Sequence, residues 1–281
     1  MTGLVSVILP AHDEAAYIGA CLDALLASDA PAYGWSVEVI VVANGCSDRT
    51  ADIARGRVRQ ATARGWRLVV LDLAEGGKLN ALNKGEAAAA GATRVYLDAD
   101  VIVSPPLIAQ LVEVLDTGQP RYASGQPRLA RASSPVTAAY GRFWATLPFV
   151  TNGVPGFGIF AVNPAGRARW ATFPDIISDD TFVRLMFTPA QRFRVAAEYS
   201  WPMVEGFRNL VRVRRRQNAG VDQIATVAPT LLRNDDKAPV GIMGVLRRAL
   251  RHPVGFAVYA AVAIAVRSPY ARSSSAWARG R

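Results

Sequence analysis

The sequence predicts an α/β fold with a mainly parallel sheet flanked by helices, and three observations carry that expectation. Short apolar runs rich in β-branched residues alternate with segments of helical periodicity through residues 1–117. The residues that follow each run are conspicuously polar, as at the ligand-binding edge of an open α/β sheet. Asp13, and later Ser47 or Asp48, stand where a following helix needs a cap. Strands alternating with helices imply right-handed crossovers and parallel neighbours.

Leu4 to Leu9 reads as a first strand buried on both faces, ended by Pro10. Asp13 is the candidate cap of a helix whose apolar face is Ile18, Leu22, Leu25 and Leu26. Val37 to Val42 reads as a second strand, followed by a Gly-containing loop and a helix through Ala51, Ala54 and Val58. Leu68 to Leu71 is the third strand, Lys78 to Ala90 a helix, Val95 to Leu97 the fourth strand, and Ser104 to Thr117 another amphipathic helix. Beyond it Pro and Gly become frequent and the alternation stops. The later chain carries an aromatic stretch (Tyr140 to Phe149), a Gly-rich segment (Gly153 to Gly158), the pair Asp179-Asp180 and a basic run from Arg208 to Arg216.

The expected organisation is a catalytic domain over 1–232, with one half at 1–117 and a second at 118–232. A helical region at 233–270 and a disordered tail at 271–281 follow. In that third region Arg247, Arg248 and Arg251 precede Pro253 and an apolar run from Val254 to Val266. The run is shorter than the roughly 20 residues of a membrane span. Two readings stay open: a helix packed on the catalytic domain, or an interfacial helix pair with its arginines at lipid headgroups.

Of the 281 residues, 51% are hydrophobic and 19% charged, which excludes disorder throughout. Net charge is +10, and Lys78, Lys84 and Lys237 are the only lysines, so arginine carries nearly all of it. Arginine forks bind diphosphates, anionic headgroups or nucleic acid, although biased codon usage accounts equally well for most of the surface. Cys21 and Cys46 form neither a metal-ligand spacing nor a disulfide framework, and the start of the chain does not read as a secretory signal. A cytoplasmic location is expected, with peripheral attachment to the inner face of the cell membrane compatible with the C-terminal region.

The chemistry concentrates at the strand ends. Asp98 and Asp100, one residue apart after the fourth strand, can aim both carboxylates at one hard cation, Mn²⁺ or Mg²⁺, that shares a substrate's phosphates. Alone, such a pair is more often a solvated turn or a cap; its place after an apolar strand favours the metal. Glu14, Asn44 and Asp48 have the chemistry to recognise a base and ribose, with capping the competing role for Asp48. Lys78 sits at a flexible turn into a helix, suited to phosphate or sugar, but the segment is not a P-loop because Leu79 stands where Ser or Thr is required. Asp179 and Asp180 read as a capping pair or as the place of a general base. The arginines up to Arg216 read as a solvated basic face or as a clamp on a diphosphate.

In this order, the segments resemble the family 2 glycosyltransferases of the GT-A fold, a Rossmann-like architecture. The resemblance covers about residues 4 to 220. Val5 to Pro10 with Asp13-Glu14 is similar to the family's first strand and nucleotide-binding turn, which brings Pro10, Ala11 and Glu14 into the expected donor site. Val41 to Asp48 resembles its acidic-Gly-Ser-Thr-Asp segment, Lys78 to Asn83 its Lys-containing helix entry, and Asp98-Ala99-Asp100 its metal motif. Gly156-Phe157-Gly158 resembles the acceptor-side glycine segment, and Ser178-Asp179-Asp180 the acidic motif whose last carboxylate is the base of inverting members, here Asp180. Arg212 to Asn218 occupies the place of the basic motif near the product diphosphate, which points to Arg214, Arg215 and Arg216.

The resemblance implies inverting, metal-dependent transfer of a single sugar from a nucleotide-diphosphate sugar, with UDP the expected carrier. The acceptor is a hydroxyl on a small molecule, a glycan or a lipid-linked intermediate. Asp100 is the expected direct metal ligand, with Asp98 beside it on metal, ribose or sugar. Two departures matter: Ala43 stands where an aspartate is common, and no tryptophan follows Gln217 as it does in processive synthases. Competing readings are a nucleotidyltransferase, which would normally carry a basic Gly-rich loop where Pro10 to Glu14 is acidic, and a basic membrane-surface or nucleic-acid-binding protein. No specific nucleic-acid partner is expected.

Overall fold

Four parallel strands organise the first half of the chain. The computed structural model describes residues 3–32 and 34–268. In it β1 (Gly3–Ala11), β2 (Trp35–Asn44), β3 (Arg67–Leu73) and β4 (Thr93–Leu97) pair in the order β3-β2-β1-β4. The connections are α1 (Ile18–Leu26), α2 (Thr50–Arg55), α3 (Val58–Ala63) and α4 (Lys78–Ala88). Val5 to Ala11 and Val37 to Asn44 are buried without a break, because helices cover both faces of the sheet. Alternate residues divide between two cores. Val5, Val7, Leu9, Val39 and Val41 pack toward α1, whereas Ile8, Ile40 and Val42 pack toward Leu82 of α4.

The second half mixes strand directions. It comprises β5 (Ile102–Val103), α5 (Leu107–Leu115), β6 (Tyr122–Leu129), α6 (Pro135–Trp144), α7 (Pro148–Thr151), β7 (Ile159–Val162), α8 (Pro164–Arg167), α9 (Asp179–Leu185), β8 (Arg192–Trp201) and α10 (Phe207–Val227). Strands β6 and β8 are parallel to each other, whereas β7 runs antiparallel to both β4 and β6 and β5 antiparallel to β8; the whole sheet reads β3-β2-β1-β4-β7-β6-β8-β5. The later strands escape periodicity reading for local reasons. β5 has two residues, and β6 contains Gly125 and Pro127 with a register shift between Ser124 and Gln126.

Two local expectations are corrected. Asp13 does not cap α1, which begins after Tyr17 without a side-chain cap. Asp13 adopts φ 49° and its carboxylate accepts the N–H groups of Ser47 and Asp48, the latter at 3.2 Å, so it ties the turn after β1 to the turn after β2. The reading of the basic run as a solvated face is corrected too: it lies within one long helix, α10, where residues Arg212 to Arg216 are all half-buried.

Two further helices, α11 (Ile242–Arg251) and α12 (Pro253–Arg267), close the described chain. Helix α12 lies on α6, with Tyr259 on Tyr140 at 5.3 Å and Phe256 on Phe143 at 5.5 Å between ring centroids. The approach requires Gly255, since a Cβ there would stand 2.6 Å from the Ala139 carbonyl oxygen. Ion pairs of Arg184 with Asp235 and Asp236, and of Arg192 with Asp236, at 2.7–2.8 Å, fasten the segment before α11 to α9 and β8. No helix among the described residues is long and apolar enough to cross a membrane. The tail expected at 271–281 lies outside the described residues.

Candidate active site

The ends of β1 and β4, the start of α4, the start of α9 and one turn of α10 meet in a polar cleft of about 130 Å³. Pro10, Lys78, Asp98, Gly156, Asp179, Asp180 and Arg216 all line it, drawn from segments more than 200 residues apart in sequence. Asp98 follows the last residue of β4 and donates its N–H to the Gly158 carbonyl at 2.8 Å. Lys78 opens α4 directly after Gly77, whose φ of 127° only glycine tolerates readily.

Lys78 Nζ bridges Asp98 at 3.2 Å and Asp179 at 3.1 Å. Burial would depress the Lys78 ammonium, but Asp179, Asp98 and Asp180 outweigh it and hold the pKa above its ordinary value. Burial pushes the Asp179 carboxyl up to about 6 against the attraction of Lys78, and the neighbouring carboxylates of Asp180 and Asp98 add to the rise. Three carboxylates and one ammonium therefore share a space that accommodates further positive charge.

A second cavity of about 490 Å³ adjoins the first. The two share Phe157, Ser178, Asp180, Trp201 and Gln217, and Asp180 is the one carboxylate lining both. Aromatic rings cluster on one part of the wall: Trp201 lies 4.8 Å from Phe157 and 5.7 Å from Trp144, and Trp144 lies 5.3 Å from Phe149. Gly156 and Gly158, at φ 71° and 80°, turn the chain sharply on either side of Phe157. The Phe157 carbonyl accepts the Tyr199 hydroxyl at 2.8 Å, so the loop is held in place from β8.

Seven of the sequence candidates lie outside the cleft lining: Ala11, Glu14, Asn44, Asp48, Asp100, Arg214 and Arg215. Asn44 is fully buried; its amide donates to the Ala11 carbonyl at 2.7 Å and accepts the Gly77 N–H at 2.8 Å. It braces the β1 and β2 ends against the Lys78 turn instead of presenting itself to a nucleotide. Asp48 accepts from the backbone of Ala15 and Thr50, and the Glu14 N–H donates to Thr50 Oγ1 at 2.7 Å. Asp100 stands two residues beyond Asp98, past the buried Ala99. Arg214 donates to the hydroxyls of Tyr140 and Tyr259 and lines the larger cavity. Arg215 donates to the carbonyls of Ala265, Val266 and Ser268, at the end of α12. Of the three arginines only Arg216 reaches the cleft, because successive residues on a helix point 100° apart.

The described residues bring one group of three metal-ligand types together, Asp13, Cys46 and Asp48. Their carboxylates already accept backbone N–H groups, and burial raises the Cys46 thiol pKa, so the group serves as a hydrogen-bonded turn rather than a hard-cation site. Sequence reasoning missed Trp144, Phe149 and Trp201 as cavity walls. Their signal was aromatic density without periodicity.

The family model for glycosyl transferase family 2 matches residues 6–161, more than half of the chain. The chain belongs to that family. Among curated relatives, this glycosyltransferase is 32% identical over 119 residues to the uncharacterized glycosyltransferase EpsJ of Bacillus subtilis, a match covering 42% of this chain and 32% of EpsJ. It is 35% identical over 96 residues to the glycosyltransferase AglE of Haloferax volcanii, covering 34% and 30% of the two chains. The matches thus span about a third of those relatives' length.

Solved structures similar to the glycosyltransferase include the mannosyltransferase PcManGT from Pyrobaculum calidifontis, in complex with GDP-Man and Mn²⁺. The TM-score is 0.58 at 20% identity, over 96% of this chain and 77% of that one. Glucosyl-3-phosphoglycerate synthase from Mycobacterium tuberculosis, in complex with Mn²⁺, UDP and glucosyl-3-phosphoglycerate, gives 0.52 at 23% identity, over 80% and 79%. At these identities the likeness establishes the fold, and the eight-stranded mixed sheet with its flanking helices is of the GT-A type.

Proposed function

We propose that this glycosyltransferase is an inverting enzyme that moves a single sugar from a nucleoside-diphosphate sugar, UDP first among the carriers to test, onto an acceptor hydroxyl beside Asp180. The carrying observation is that Asp180 alone among the carboxylates lines both cavities. The polar cleft suits the donor: Lys78 and Arg216 supply cationic donors for a diphosphate, and the acids beside them suit a sugar's hydroxyl groups. The larger cavity suits the acceptor, for which the rings of Trp144, Phe157 and Trp201 offer stacking surfaces.

Asp180 sits at the junction, where it can accept the acceptor's proton. The acceptor oxygen then bonds the anomeric carbon as the bond from that carbon to the diphosphate breaks, with inversion. The leaving diphosphate needs its charge balanced. Asp98 and Asp100 provide an all-oxygen donor pair after β4, which fits Mn²⁺ or Mg²⁺, and both structural relatives carry Mn²⁺. Such a cation, when bound, supplies charge neutralisation at the diphosphate. Lys78, paired with Asp98 and Asp179, stands beside this set, where its ammonium can meet the diphosphate.

The test is sugar-nucleotide turnover with Mn²⁺ or Mg²⁺. Asp180→Asn is expected to lower kcat by about 10³-fold while UDP still raises the Tm in the presence of metal. Undiminished transfer removes Asp180 as the base. A Tm rise with GDP and none with UDP reassigns the carrier.

A further inference from the structure

Helix α11 presents an apolar face that nothing among the described residues covers. Ile242, Met243 and Leu250 are 81%, 77% and 83% exposed, and Leu246 is 50% exposed. At 100° per residue these four fall within about 100° of the helix circumference, a single stripe. Arg247 and Arg251 flank the stripe and are exposed. Arg248 instead turns inward and donates to the Thr146 carbonyl at 2.9 Å, which fixes α11 to the body with the stripe outward. Val254 and Ile264 on α12 are also exposed, at 65% and 72%. Half of the large hydrophobics that remain exposed among the described residues therefore lie between 242 and 264.

We infer that this face docks the enzyme on an anionic lipid surface, with the α11 stripe seated at the boundary between headgroups and acyl chains. Charge decides among occupants. From 242 to the end of the chain there is no Asp or Glu, whereas Arg247, Arg248, Arg251 and Arg267 are all basic. A second copy docking through the same face sets arginines against arginines. The chain's own residues 269–281 add Arg272, Arg279 and Arg281 and no acid, so they repel the face as well. Anionic headgroups neutralise the arginines while the stripe is buried. Helix α12 does not supply a span: its aromatic face is committed to α6, and it is 15 residues long, below the roughly 20 a span needs. Docking also brings the surface near the larger cavity, because Val240, two residues before α11, and Tyr259 of α12 line it.

The inference stands independently of the transfer reaction and is tested without it. The full chain is sedimented with vesicles of phosphatidylcholine alone and of phosphatidylcholine with phosphatidylglycerol. It is expected to sediment with the anionic vesicles and to stay in solution with the neutral ones. Met243→Glu with Leu250→Glu is expected to weaken binding at least tenfold, about what the loss of two buried apolar side chains implies. Arg247→Gln with Arg251→Gln is expected to weaken it about tenfold or more and to flatten its salt dependence. Both pairs alter exposed side chains, and an unchanged melting curve verifies the fold. No sedimentation with anionic vesicles, equal binding to neutral vesicles, or undiminished binding by the Glu pair overturns the inference. So does a wild-type dimer, seen by sedimentation velocity without lipid, that the Glu pair dissociates.

Discussion

Glu38 in the parallel half of the sheet and Asp179 in the cleft are both buried carboxylates, at 1% and 5% exposure, yet the two regions treat them in opposite ways. Burial would raise Glu38, but Ser6 Oγ and the Ala90 N–H at 2.6 Å, the Gly91 N–H at 3.1 Å and Arg67 hold it below the usual carboxylate range. Asp179 has Lys78 as its partner and two further carboxylates as neighbours, and burial carries it up to about 6. The parallel half saturates its charge. The cleft leaves its charge under-compensated, as expected of a functional site where a cation and polar ligand groups are to arrive.

The contrast is sharpened most by Glu38→Gln, which leaves a backbone donor at 90 or 91 facing an amide. It should cost about 2–3 kcal/mol at neutral pH. Because folding lowers the Glu38 pKa, the wild-type advantage is complete above the unfolded carboxylate value and disappears as pH falls through the folded one. Urea titrations at several pH values should show the two proteins converging in acid.

A smaller effect of opposite sign is expected from Asp179→Asn. Folding raises the pKa of Asp179, so the ionised group opposes folding above about pH 6, and that opposition is absent below the unfolded carboxylate value. The variant should melt about 2–4 °C above wild type at pH 8 and together with it below pH 4, while losing transfer activity. A variant that melts lower at pH 8 breaks the comparison.

The smallest effect is expected from Arg215→Ala. Arg215 donates to carbonyls at the end of α12, so the loss should be about 1 kcal/mol, seen as faster amide exchange across α12. Donor affinity should be unchanged. A weaker nucleotide-induced Tm shift would return Arg215 to the diphosphate, where the basic motif alone had placed it.

The parallel half was legible because its signals are local. Apolar runs of three to six residues marked β1 to β4, short of their true ends by one or two residues on most sides. The mixed half was not legible, since a two-residue strand and a strand interrupted by Gly125 and Pro127 have no period to read. Candidates at strand ends divided in the same way. Lys78, Asp98, Gly156, Asp179, Asp180 and Arg216 converge on the cleft. Asn44 carries equally suitable chemistry but turns inward, because the Ala11 carbonyl and the Gly77 N–H lie within its reach.

By itself, the sequence determined the α/β class, the order of the motifs and the membership of a transferase family, since each depends on residue type and spacing along the chain. Only the tertiary structure decided which carboxylates meet, that Asp180 stands between two cavities, and that Arg214 and Arg215 hold α12 while Arg216 faces the cleft. Those outcomes depend on the rotation of α10 about its axis and on the packing of α12 against α6 and α10. Neither is encoded in any window of sequence short enough to read alone.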